Sequence, residues 1–205
     1  MTDRIDVTGT GTAEVRPDRL VARLGAEATG SDVSGVLAAA ESGSRAMVEA
    51  ARAQGLGDTD LRTEGMSLGQ HYDNHGQPSG FRAWLGLTVT LRDLATAGGV
   101  LGAVLAAGGD TARMLDVSLA VSDPSLAMHA AREAALADAR AQAEHLAELA
   151  ERPLGAVRRL STVASPGHPI AYAMVASGRQ GGAALPVEAG DTTVTVSVQA
   201  RFDLG

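Results

Sequence analysis

Apolar and polar residues alternate near both ends of the chain, the signature of strands with one buried face. In the opening segment Ile5, Val7, Gly9 and Gly11 alternate with Asp6, Thr8 and Thr10. At the far end Val194, Val196, Val198, Ala200, Phe202 and Leu204 alternate with Thr193, Thr195, Ser197, Gln199, Arg201 and Asp203. Pro17-Asp18 breaks the first run, and Leu20, Ala22, Leu24, Ala26 and Ala28 then share one face of a strand over 20–29. The period changes after Ser31-Asp32-Val33-Ser34. Val33, Leu37, Ala40, Ser44, Met47 and Ala51 recur every three or four residues, which predicts a helix over 32–54. Ser31 or Asp32 is placed to accept bonds from its first free amides, and Gly55 and Gly57 to end it. Gly43 inside that helix costs about 1 kcal/mol relative to alanine.

Strands over 61–70 and 80–92 follow, joined by the turn formers Asp73-Asn74-His75-Gly76-Gln77-Pro78. In the second of these, Phe81, Ala83, Leu85, Leu87, Val89 and Leu91 face one way. Arg82, Trp84, Gly86, Thr88, Thr90 and Arg92 face the other. An apolar helix over 94–108 ends at Gly108-Gly109, and the pattern then recurs. A strand at 115–121 leads to Ser122-Asp123-Pro124-Ser125, which opens a helix over 124–151, and strands at 154–163 and 192–204 complete the unit. The later helix carries its stripe on small residues, Ala131, Ala135, Ala139, Ala143, Leu146 and Ala150, so it can lie close to a sheet. Pro124 stands at the first helical position, Arg140 and Glu144 are spaced to pair, and Pro153 ends the helix.

These elements predict an α+β fold in a single domain spanning 1–205. It consists of two β-α-β-β repeats, at about 1–93 and 113–205, with antiparallel sheets, helices packed on one face and a connecting helix at 94–108. The two Ser-Asp openings read as helix caps rather than active-site carboxylates. Between the last two strands, 164–190 is dominated by Ala, Gly, Pro and Ser. So long a structureless loop is unusual in a compact domain, which leaves disorder or a contact element as readings. Its centre, around Tyr172, is apolar enough to mark Tyr172 as an interaction candidate.

Composition narrows the function. All 17 basic residues are arginine, and the net charge of −7 argues against a nucleic-acid partner. Aromatics make up 2% of the chain, so the core rests on Val, Leu and Ala. The absence of cysteine excludes disulfides, thiolate nucleophiles and cysteine-ligated metals. Met1-Thr2-Asp3-Arg4-Ile5-Asp6 runs directly into a strand without a charged segment and apolar stretch, which predicts a cytoplasmic protein. The most apolar run, about 15 residues from Ala95, falls short of the roughly 20 that span a bilayer, which predicts a buried helix and no membrane span.

An ordered set of segments resembles the SIMPL-domain family. It comprises Val7-Thr8-Gly9-Thr10-Gly11 with Pro17-Asp18, Gly65-Met66-Ser67-Leu68 with Tyr72-Asp73, and Gly80-Phe81-Arg82-Ala83. Ser122-Asp123-Pro124 and Ala137-Asp138-Ala139-Arg140-Ala141 complete it. The resemblance implies an α+β fold of duplicated units. Several bacterial members are exported to the periplasm and form large homo-oligomers, and the family brings no catalytic residue to carry over.

Candidate chemistry is sparse. His71, Asp73 and His75 would share one face of a continued strand and offer imidazole and carboxylate to a transition metal. A hairpin turn breaks that geometry, and no fourth ligand is apparent. Gly9-x-Gly11 lacks the third glycine and the following helix of a dinucleotide loop, so it reads as a bulge or a close-packing site. No Gly-x-Ser-x-Gly elbow occurs, Ser161 and Ser165 near His168 form no triad, and His129 and His145 lie among helix-surface carboxylates. Trp84, beside Arg82, stands on the polar side of its strand. It either covers Gly86 or, with Arg82, makes a subunit or partner contact. The pattern therefore predicts a non-enzymatic scaffold that associates with itself and needs no cofactor. The alternatives are a small-molecule or metal-binding module using the sheet face or the 71–75 hairpin, and an enzyme with a dispersed site.

Overall fold

The computed structural model describes residues 3–163, 172–173 and 190–205. In chain order the elements are β1 (Arg4–Val15), β2 (Arg19–Gly30), α1 (Val33–Ala53), β3 (Leu61–Tyr72), β4 (Pro78–Leu91) and α2 (Leu94–Gly108). They continue with β5 (Ala112–Ala120), α3 (Ser125–Leu149), β6 (Leu154–Val163), β7 (Tyr172–Ala173) and β8 (Thr192–Leu204). The fold is α+β with two antiparallel sheets, in the orders β1-β8-β6 and β3-β4-β2-β5-β7. Two compact units result: β1, α3, β6 and β8 form one, and the remaining elements form the other.

In the three-stranded unit, Val194, Val196, Val198, Ala200 and Phe202 of β8 point with Ile5 and Val7 of β1 onto one row of α3. That row is Ala127, Ala131, Ala135, Ala139, Ala143 and Ala147, every one buried. Methyl side chains bring helix and strand so close that β1 has room only for glycine at the contact. A Cβ at Gly9 would overlap the Ala135 carbonyl and the Ala139 amide, and one at Gly11 would overlap the Ala131 carbonyl. The Gly-x-Gly of the opening strand is thus a close-packing site.

In the five-stranded unit, Leu20, Ala22, Leu24 and Ala26 of β2 meet Leu87, Val89 and Leu91 of β4. Met47 and Ala51 of α1 and Ala97, Leu101 and Val104 of α2 close this core. By length and composition Leu94–Thr111 could cross a membrane. In the fold, α2 packs on α1. Asp32 caps α1 by accepting from the Gly35 amide at 2.8 Å. The buried stripe of α1 is Val36, Ala40, Gly43, Met47 and Ala51, rotated from the predicted one, and Val33 lies outside it. The rotation follows from Gly43, where a side chain would run into Thr111 and crowd Ala26. A glycine that makes the closest contact is invisible to a count of apolar positions.

Strand partnership also differs from the linear grouping. β5 pairs with β2, from Arg19 opposite Ala120 to Ala26 opposite Ala112. The place beside β8 is taken instead by β1, from Arg4 opposite Asp203 to Val15 opposite Thr192. The orders β3-β4-β2 and β6-β8-β1 then correspond strand for strand, with α1 packed on β2 and β4 and α3 packed on β1 and β8. Alternation fixes which face of a strand is apolar, but not which strand lies beside it.

Candidate interaction surface

Every open sheet has edges whose amides and carbonyls lack partners, and a protein either blocks them or uses them. The β1 edge is blocked by its own helix. The Thr10 amide donates to Asp138 Oδ2 at 2.8 Å, and Gln142 Nε2 donates to the Thr8 carbonyl at 3.3 Å and to Asp138 Oδ2 at 2.9 Å. The β6 edge is interrupted by register shifts between Leu154 and Val157 and between Val157 and Arg159. Such bulges spoil an edge for further pairing.

The β3 edge lacks such side-chain guards, and its register shifts lie towards its two ends. Between its two register shifts, at Thr63/Gly65 and His71/Tyr72, it pairs regularly with β4 from Gly65 to His71. Among the described residues no side chain bonds to the backbone of 65–70. The strand lies open on both faces, with Met66 70% and Leu68 45% exposed. Neither is covered by α1, which packs on β2 and β4. Met66 and Leu68 stand opposite Leu85 and Ala83, so they extend an apolar face past the end of the helix layer.

Trp84 stands on the other face. Its indole lies where a Cβ on Gly25 would be, with ring carbons 2.7 Å from that position, and its Nε1 lies 3.2 Å from where a Cβ on Gly86 would be. Gly25 and Gly65 are both register partners of Gly86, so three glycines line up across β2, β4 and β3. The half-buried indole covers two of them, which is the covering role considered for this residue. At its rim Glu27 lies 3.9 Å from Arg82 and 3.5 Å from Arg113.

Farther along this face Glu64 accepts from Arg23 Nε at 3.0 Å and from Arg62 at 3.1 Å. Thr88 and then Arg23 hold its carboxyl below the ordinary range. Both partners stabilise the ionised form, so the group is a fixed anion rather than a proton carrier.

The remaining candidates serve the turn. Asp73 Oδ1 accepts from the His75 and Gln77 amides, each at 2.9 Å, and the Asp73 amide donates to the Gln77 carbonyl at 2.9 Å. That carboxylate closes the β3–β4 hairpin, and His71 sits opposite Gly80 on β4. No group of three metal-ligating side chains occurs among the described residues. Asp123 accepts from the Ser125 amide at 2.9 Å at the start of α3. The Tyr172 side chain and most of 164–190, with Ser165 and His168, lie outside the described residues; Tyr172 and Ala173 form β7 beside Ser118 and Leu119 of β5. Sequence reasoning missed Asp138 and Gln142 as edge guards and Met66 and Leu68 as exposed. Asp138 stood within the family-like helix motif, which was the available signal.

Residues 5–202 match the family model SIMPL, described as a protein of unknown function (DUF541). The chain belongs to the SIMPL family. Two relatives are each named "26 kDa periplasmic immunogenic protein", one from Brucella melitensis and one from Brucella abortus. Each is 28% identical to this chain over 215 aligned residues, covering 98% of this chain and 84% of the relative. Their names overturn the cytoplasmic expectation, since proteins matching nearly the whole of this SIMPL chain are called periplasmic. The error lay in reading a compartment from the first few residues, which carry no such information once the strand begins at Arg4.

Proposed function

We propose that this SIMPL protein is a non-enzymatic interaction module that assembles with copies of itself through the outer edge of β3. One observation carries the reading: the regular, unguarded run from Gly65 to His71 presents exposed Met66 and Leu68, while the β1 edge is closed by Asp138 and Gln142. The occupant is a second copy because the strand is self-complementary. Two copies laid antiparallel about Ser67 place Met66 of each opposite Leu68 of the other, and Gly65 opposite Gly69. Centring on Met66 instead sets Leu68 against Glu64, and centring on Leu68 sets Met66 against Gln70. Only the Ser67 centre matches apolar with apolar on both sides of a two-fold axis. Backbone pairing then supplies affinity and the side chains fix the register. The names of the Brucella proteins support a periplasmic setting for this module.

Light scattering across a dilution series tests it. The parent chain is expected to run above monomer mass, and Leu68→Asp to shift towards monomer while keeping its circular dichroism. A parent that is monomeric at every concentration, or a folded Leu68→Asp of unchanged mass, rejects the reading.

A further inference from the structure

The open face of the β1-β8-β6 sheet presents a different chemistry from the β3 edge. Cross-strand register sets Asp6, Arg201 and Arg159 in one row and Thr8, Gln199 and Ser161 in the next. These six side chains, with Val7 and Ala200 between the rows, line a groove of about 290 Å3. Its walls are polar and contain no aromatic ring.

The charges in the first row do not cancel. Asp6 Oδ1 accepts from Arg201 Nε at 2.7 Å, which occupies one of the five N–H donors of that guanidinium. Arg159 stands directly opposite Arg201 and has no ion-pair or hydrogen-bond partner among the described residues. Two like charges facing each other across a strand pair repel, and an anion lodged between them removes that cost. Planar guanidinium forks match the paired oxygens of a carboxylate or phosphate. The second row adds two hydroxyls and an amide two strand residues along, about 6.5–7 Å away, able to donate to further oxygens.

We propose that this groove binds a small oxyanion, a phosphate or carboxylate group, gripped between Arg159 and Arg201 with Thr8, Ser161 and Gln199 bonding to the rest of the molecule. Asp6 holds the Arg201 side chain in place and competes with the ligand for it, so the site is tuned to moderate affinity. The groove is open, which suits a ligand that enters and leaves without a conformational change.

Separate calorimetric titrations with inorganic phosphate and with malonate test the site and distinguish its two possible ligand chemistries. Saturable binding of one or both is expected. Arg159→Gln should weaken it by about tenfold, the worth of a charge-assisted bond. Asp6→Asn should tighten it, because a competing carboxylate is removed while the side chain keeps its shape. Circular dichroism and thermal melting confirm that each variant is folded. Absence of saturable heat with both anions at roughly 10 mM overturns the proposal, since weaker binding than that has no use at ordinary metabolite levels. So does unchanged affinity in a folded Arg159→Gln, or weaker binding in a folded Asp6→Asn.

Discussion

The Thr10 amide donates to the Asp138 carboxylate at 2.8 Å, although 128 positions of sequence separate them. The bond joins an edge strand to the helix lying across it. It exists because Gly9 and Gly11 remove the side chains that would hold that helix away. One contact therefore explains two family-like motifs together, the Gly-x-Gly of β1 and the Ala-Asp-Ala of α3.

Asp138→Ala should destabilise the chain by about 1–2 kcal/mol, because a strand amide loses a charged acceptor. Urea unfolding measures the loss, and a midpoint equal to that of the parent would contradict the role. The variant also exposes a second sheet edge, so increased aggregation on storage is the accompanying expectation.

Two glycine substitutions should act in opposite directions. Gly9→Ala forces its new methyl into the α3 backbone, and should cost about 3 kcal/mol, the upper end for an overpacked core. Gly102→Ala in α2 meets open space, and should stabilise by about 0.5–1 kcal/mol through helix propensity and a less flexible unfolded chain. Thermal melts compare them directly.

Trp84→Ala uncovers Gly25 and Gly86 and should cost about 1–2 kcal/mol, modest because the ring is only half-buried. Its mass by light scattering should equal that of the parent, since the indole lies on the face opposite Met66 and Leu68. A folded variant whose mass falls to monomer would instead assign Trp84 to the contact.

Glu64 should leave a signature in acid. Its carboxyl is held below the ordinary range by Thr88 and Arg23, so the folded chain binds fewer protons than the unfolded one as pH falls. The stability it contributes is present above the unfolded value, and is lost as pH drops through the lowered folded one. Melting curves between about pH 3 and about pH 6 should slope less steeply in Glu64→Gln than in the parent, with near-neutral differences of no more than about 1 kcal/mol for so exposed a pair.

Period and capping made most elements legible. The β8 alternation, the Asp32 cap and the Arg140–Glu144 pair at 3.0 Å all stand where the residues placed them. Strand partnership was not legible. Nothing local in β5 says that it joins β2, and nothing in β1 says that it lies beside β8, because each choice is settled by partners far along the chain: β2 and α2 for β5, β8 and α3 for β1. Met66 and Leu68 alternate like core residues and are exposed only because no helix reaches them. Trp84 was half legible: alternation gave its face, but the glycines beneath it lie on neighbouring strands.

The absence of cysteine makes the central claim open to a clean covalent test. Introduce one cysteine at Ser67, on the proposed two-fold axis, and another in a separate variant at Thr12 on the guarded β1 edge. Under mild oxidation the Ser67→Cys chain should form disulfide-linked dimers, and Thr12→Cys should not. Failure of Ser67→Cys to cross-link, or equal cross-linking at the two positions, would contradict assembly through the β3 edge.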